Sequence, residues 1–152
     1  MMRSQNSMVI CIPVYNEAPN LEVLVDKLAE IRKTHPIRAH FIDDHSEDGS
    51  YDLLHSIAGS YDWVCVDKKT GQKGKSYSLI QCFNQASEDI FVMIDADLQY
   101  PVEKIPDLIQ AIADGKADVM VGDRTNMFGS WYRKVLSKTM NFFILRIILN
   151  LR

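Results

Sequence analysis

Two carboxylates and an amide stand at alternate positions in the stretch Asp95-Ala96-Asp97-Leu98-Gln99-Tyr100-Pro101. Oxygen-only ligands of this kind suit a hard cation such as Mg²⁺ or Mn²⁺, which completes its shell with waters and substrate phosphates. An apolar run, Ile90-Phe91-Val92-Met93-Ile94, precedes the stretch and reads as a buried strand; a helical pattern from Val102 to Ala113 follows it. In an extended segment alternate side chains point the same way. Asp95, Asp97 and Gln99 are therefore expected to converge on one point, as a metal clamp for a diphosphate. The competing reading is a polar strand end that caps the next helix. Ligands of open α/β sheets bind at the carboxyl ends of the strands, which favours the clamp.

Two earlier strand ends carry polar residues as well. The first is Pro13-Val14-Tyr15-Asn16-Glu17, where proline fixes the exit of the chain and tyrosine offers a face for stacking on a base. Ordinary turn chemistry accounts for the same residue types. The second is Asp43-Asp44-His45-Ser46-Glu47-Asp48-Gly49-Ser50. A carboxylate at such a position can accept hydrogen bonds from a ribose or a base edge. Capping of the next helix by Asp48 or Ser50 explains the end of this loop, but not the doubled aspartate at its start.

The loop from Lys69 to Ser76 ends in Gly-Lys-Ser, yet a phosphate loop requires glycine where Lys69 stands, so that motif is excluded. A cationic, glycine-bearing loop leading into a helix can still meet an anion through Lys75; a solvated lysine loop is the alternative. No G-x-G-x-x-G follows the first strand, which argues against a dinucleotide oxidoreductase. G-x-S-x-G and zinc-protease motifs are absent too. His35, His40, His45 and His55 show no metal-ligand spacing.

The elements that must position these groups alternate strand and helix. Strands are predicted at Met8 to Pro13, Ile37 to Ile42, Trp63 to Val66, Ile90 to Ile94 and Asp118 to Val121. Between them, helical spacing runs from Leu21 to Ile31, Ser50 to Ala58, Ser76 to Ala86 and Val102 to Ala113. That order implies right-handed β-α-β units, a mainly parallel sheet and one α/β domain. With 152 residues, 47% of them hydrophobic and 24% charged, the chain can bury a real core. Cys11, Cys65 and Cys82 match no zinc pattern and are expected as buried free thiols in a reducing cytoplasm. Met1 to Ser7 is polar and too short for the apolar region of a signal peptide.

Charge is lopsided. Residues 1–123 hold 11 basic and 20 acidic residues, and residues 124–152 hold six basic and none acidic. The net values, −9 and +6, suggest an anionic partner for the tail. Met140 to Leu149 reads MNFFILRIIL, too short and interrupted for a spanning helix, which needs about 20 apolar residues. A basic helix of this kind fits the bilayer interface; a core helix whose neighbours cover it fits equally. An uncovered apolar tail favours self-association, so a homo-oligomer is a further expectation.

Taken together, VICIPVYNEAPNL (9–21), FIDDHSEDGS (41–50), KGKSYSL (73–79), MIDADLQYPVEKIPDLI (93–109) and VGDR (121–124) resemble, in order, the glycosyltransferases of family 2. The run Leu98-Gln99-Tyr100-Pro101 and the segment SWYRKVLSKTMN (130–141) further resemble the polyprenyl-phosphate branch, which includes dolichyl- and undecaprenyl-phosphate sugar transferases. The resemblance implies a three-layer, Rossmann-like GT-A domain over residues 1–123. A basic acceptor and membrane-interface segment with an amphipathic C-terminal helix would follow over 124–152. It implies nucleotide contacts from Pro13, Tyr15, Glu17, Asp43 and Asp44, with Lys75 and Asp95 at the diphosphate and Mg²⁺ or Mn²⁺ on Asp95, Asp97 and Gln99. Arg124, Arg133 and Ser137 match acceptor-phosphate positions, and Asp97 and Arg124 carry the catalytic roles.

The implied reaction is an inverting transfer from a UDP- or GDP-linked sugar to a polyprenyl phosphate at the cytoplasmic membrane face, by a peripheral or, at full length, membrane-anchored enzyme. No nucleic-acid partner is expected. Two other readings stay open: a nucleotide-sugar-binding module without turnover, and a family 2 transferase acting on a soluble sugar or polysaccharide. His45 departs from the family, which usually has glycine there. The family's catalytic domain also continues beyond the position of Arg152, so a truncated chain is expected.

Overall fold

A computed structural model describes residues 7–122. Four strands, β1 (Met8–Val14), β2 (Ile37–Asp43), β3 (Val64–Lys68) and β4 (Ile90–Met93), form one parallel sheet in the order β3-β2-β1-β4. They alternate with α1 (Ala18–Arg32), α2 (Ser50–Ala58), α3 (Lys75–Gln85) and α4 (Ile105–Ala113). The four strands predicted up to Ile94 and the three helices predicted before residue 90 are present. Both faces of the sheet are covered, which is why β1 reads MVICIPV without the alternation of a half-exposed strand. Met8, Ile10, Ile12 and Val14 face the larger core, with Phe41, Leu24, Leu28 and Leu54. Cys11 faces the other way, onto Ile42 and Cys82 of α3. Helices on both faces make the three layers expected.

Buried free thiols are found at Cys11 and Cys82, but Cys65 is exposed on the edge strand β3. Within the α3 layer, His40 bridges Asp67 through Nε2 at 2.8 Å and the Cys82 sulfur through Nδ1 at 3.5 Å. The Cys11 hydrogen bond draws the Cys82 thiol down to about 6; burial opposes this and His40 assists it.

Two expectations are corrected. Residues 102–113 do not form one helix. A 3₁₀ turn at Val102–Lys104 leads into α4, whose first turn contains Pro106. Proline has no N–H to close an α-helical bond back to Val102, and it fits the first turn of a new helix. No strand forms at 118–121 either. Val119 and Val121 are 76% and 82% exposed, and no described strand pairs with them. A strand gains its hydrogen bonds from a neighbour, and among the described residues this short apolar run has none. The 124–152 segment and its predicted helix lie outside the described residues.

The sheet is staggered at its carboxyl end. The last β1–β4 rung is Cys11 with Met93, while β1 and β2 pair on to Val14 and Asp43. Pro13 lies past that rung, where its missing N–H costs no bond to β4. The chain runs outward from β1 through β2 to β3, then returns to place β4 on the other side of β1. The switch point between β1 and β4 therefore opens a crevice, the place where open α/β sheets receive ligands.

Candidate functional site

A cleft of about 430 Å³ occupies that switch point, lined by loops from β1, β2 and β4 and by the start of α3. Pro13, Tyr15, Glu17, Asp44, Lys75, Asp95 and Asp97, all singled out from sequence, line it. Gln99 is exposed and is not among the lining residues, and Asp43 lies buried behind them.

The β1–α1 loop is held from outside. The N–H groups of Asn16, Glu17 and Ala18 donate to Ser46 Oγ, Ser50 Oγ and Asp48 Oδ2 at 3.0, 2.9 and 3.0 Å. These donors belong to the start of α1, where helical partners are missing. The serine- and aspartate-rich loop thus caps α1, the neighbouring helix. Its Asp48 Oδ1, which accepts from the Ser50 N–H at 3.0 Å, serves α2. The result is a fixed rim from which Tyr15 stands out, 53% exposed, with the Lys73 ammonium 5.6 Å from its ring centroid.

The doubled aspartate divides in two. Asp44 has both oxygens engaged, Oδ1 by the Lys69 ammonium and Oδ2 by the Gly74 N–H, each at 2.8 Å. Burial would raise this carboxyl, but Lys69 and Gly74 outweigh it and hold the group below the usual carboxylate range. Asp43 is buried as well. Its Oδ2 accepts from the Ser46 N–H at 3.2 Å, while its Oδ1 has no partner. A buried carboxylate oxygen without a donor is costly, and a ligand N–H or O–H would relieve it.

The segment after β4 is not the extended strand from which convergence of Asp95, Asp97 and Gln99 was expected. It leaves the sheet at Met93 and turns: Leu98 has φ +58°, and Asp97 Oδ1 accepts from the Gln99 N–H at 3.0 Å. The two-residue period fails beyond Met93, yet the turn still delivers Asp95 and Asp97 to one cleft. Lys75 Nζ forms an ion pair with Asp95. Among the described residues no group of three or more His, Cys, Asp or Glu is gathered to hold a metal ion. Two carboxylates in an open cleft do fit a hard divalent cation that takes its remaining ligands from water and phosphate.

The sequence reading gave Lys69 no role of its own, leaving its loop either to meet an anion or to be solvated. The signal lay in the register: β2 and β3 are parallel, with Asp43 opposite Lys68, so the next residues, Asp44 and Lys69, are neighbours. His45 has φ +63°, the left-handed region, which accounts for the glycine usual at this position. Arg124, Arg133 and Ser137 lie outside the described residues.

The model of the family described as glycosyl transferase family 2 matches residues 9–151. A dolichol-phosphate mannosyltransferase of Pyrococcus furiosus is 38% identical over 134 residues, covering 85% of this chain and 38% of its own length. An undecaprenyl-phosphate 4-deoxy-4-formamido-L-arabinose transferase of Serratia proteamaculans is 36% identical over 141 residues, covering 90% and 43%. The chain thus spans about two-fifths of the length of these relatives. Among solved structures, a mannosyltransferase of Pyrobaculum calidifontis in complex with GDP-Man and Mn²⁺ aligns with TM-score 0.59 and 24% identity, over 72% of this chain and 32% of that one. A glucosyl-3-phosphoglycerate synthase of Mycobacterium tuberculosis, with Mn²⁺, UDP and glucosyl-3-phosphoglycerate, aligns with TM-score 0.58 and 22% identity, over 70% and 39%. These likenesses establish the GT-A type of α/β fold.

Proposed function

The chain belongs to glycosyl transferase family 2, and on that premise we propose that it is the donor-binding part of an enzyme moving a sugar from a nucleotide-diphosphate sugar to a polyprenyl phosphate. The observation that carries the proposal is the switch-point cleft, where Asp95, Asp97 and Lys75 meet Tyr15, Glu17 and Pro13. Relatives named for dolichol-phosphate and undecaprenyl-phosphate transfer support the acceptor class.

In this reading the donor's base stacks on the exposed face of Tyr15. The unpartnered Asp43 Oδ1 accepts an N–H or O–H from the base or ribose, while Asp44 serves as an internal anchor. Pro13 and Glu17 shape the wall beside the ribose. Asp95 and Asp97 would hold Mg²⁺ or Mn²⁺, while Gln99 does not line the cleft. When bound, such a cation would supply charge neutralisation to the diphosphate leaving group, which would lower the cost of its departure. Lys75 adds positive charge at the same place; donor binding requires its ammonium to pass from Asp95 to the phosphates.

The acceptor is a phosphate monoester with a second pKa of about 6, so its attacking oxygen is ionised at neutral pH and needs no protein base. It needs cationic positioning instead. Arg124, Arg133 and Ser137 of the acid-free segment supply this at the cytoplasmic face of the membrane. Attack from the side opposite the diphosphate inverts the anomeric centre.

The test is incubation with Mn²⁺, radiolabelled GDP- and UDP-sugars and undecaprenyl phosphate, followed by extraction of the lipid. A labelled sugar-phospholipid is the expected product. Metal-dependent nucleotide binding with no lipid product, in a chain extended to the length of its relatives, overturns the transfer reading and leaves a binding module. Product on a soluble sugar alone replaces the acceptor class.

A further inference from the structure

Of the four lysines between Lys68 and Lys75, only Lys69 is buried, and its side chain is 0% exposed. Its ammonium donates to Asp44 Oδ1 at 2.8 Å and to the Gly74 carbonyl at 2.7 Å. The Gly74 N–H donates to Asp44 Oδ2 at 2.8 Å, so three groups close a ring. The Lys69 N–H donates to the Asp43 carbonyl at 2.9 Å, which fixes the lysine to the end of β2. The Tyr77 ring centroid lies 5.6 Å from the ammonium. Desolvating an ammonium is expensive, and a buried one persists where it is paired and hydrogen-bonded. Lys69 does not line the cleft, but its partners Asp44 and Gly74 do, and so does Lys75, the residue after Gly74. Gly74 itself has φ +130°, a conformation other residues rarely adopt.

We propose that Lys69 is a positioning residue of the donor site: by locking Asp44 to Gly74 it sets Lys75 and the first turn of α3 at the diphosphate end of the cleft. The role rests on the donor reading above, and Lys69 acts without touching the donor. The alternative is that Lys69 merely neutralises Asp44. The two roles part in the double variant Lys69→Met/Asp44→Asn, which removes the ammonium together with the Asp44 charge that it balances.

The full 152-residue chain, Lys69→Met and the double variant are compared by two measurements. The first is amide hydrogen exchange over residues 70–78 without ligand; the second is titration with GDP and with UDP in the presence of Mn²⁺. Both variants are expected to exchange on the order of ten-fold faster over 70–78, with β1 and β2 unchanged. Both are expected to bind nucleotide about 10–100-fold more weakly, the range seen when a supporting partner of a ligand-binding group is lost. The double variant should melt near the wild-type temperature. If it also regains wild-type exchange and affinity, charge neutralisation is the whole role of Lys69 and the proposal falls. A wild-type chain that binds neither nucleotide overturns the donor reading instead, and the ligand-free exchange then still decides the clamp.

Discussion

The two ends of the parallel sheet are finished differently. At the amino end side chains close on one another. The Ser7 N–H and hydroxyl both donate to Asp89 Oδ2 at 2.9 Å, and Arg38 forks onto both oxygens of Glu88 at 2.6 and 3.1 Å. At the carboxyl end the described residues hold an unpartnered Asp43 Oδ1, an unpartnered Ser78 Oγ in the first turn of α3, and a buried lysine–aspartate pair. The non-glycine residues with positive φ, Asn16, His45 and Leu98, lie in the loops that leave β1, β2 and β4 at this end. Strain and unmet hydrogen bonds gather where a structure is held ready for a ligand. One end stabilises the sheet; the other uses the sheet as a support.

The largest effect is expected from what both ends share. Phe41→Ala removes the largest fully buried side chain of the central core and should cost about 3–5 kcal/mol in urea unfolding. Loss of only a few tenths would mean that the ends do not depend on one core. Asp97→Ala should weaken Mn²⁺-dependent nucleotide binding about 100-fold in calorimetry, with the melting temperature held within a degree or two. A matching fall in stability would make Asp97 a structural turn residue and erase the contrast.

Arg38→Met probes the amino end alone. It should lower stability by about 1–2 kcal/mol, because a half-buried forked pair is broken, and leave nucleotide affinity unchanged. A shift in affinity would show that the ends are coupled. His45→Gly should give the smallest change, a gain of about 0.5–1 kcal/mol as the left-handed strain is relieved against the added chain entropy. A loss would mean that the His45 side chain does more than tolerate its backbone.

Legibility in the sequence follows the same division. Strands buried on both faces announce themselves as apolar runs, and α1 showed its core face at Leu21, Leu24, Val25, Leu28 and Ile31. The residues of the cleft were legible because polar groups at strand ends have few other reasons to cluster. What was hidden depends on contacts between segments far apart in sequence. Capping of α1 by Ser46, Asp48 and Ser50 joins positions about 30 residues apart. The burial of Lys69 needs the β2–β3 register. Local periodicity also fails where the backbone turns, as at Leu98, and where no described strand pairs with an apolar run, as at Val119.

The strand order also dictates a timetable. β1 emerges first during synthesis and pairs with β2 after about thirty residues, but its other side waits until Ile90 to Met93 have been made. Contacts between distant segments form slowly, and an unpaired apolar strand edge invites foreign strands meanwhile. The segment that seals β1 is followed directly by Asp95 and Asp97. The chain therefore gains the strand that covers the second edge of β1 and its two cleft carboxylates in the same stretch of synthesis, and nascent chains stalled before that point should be the ones that aggregate.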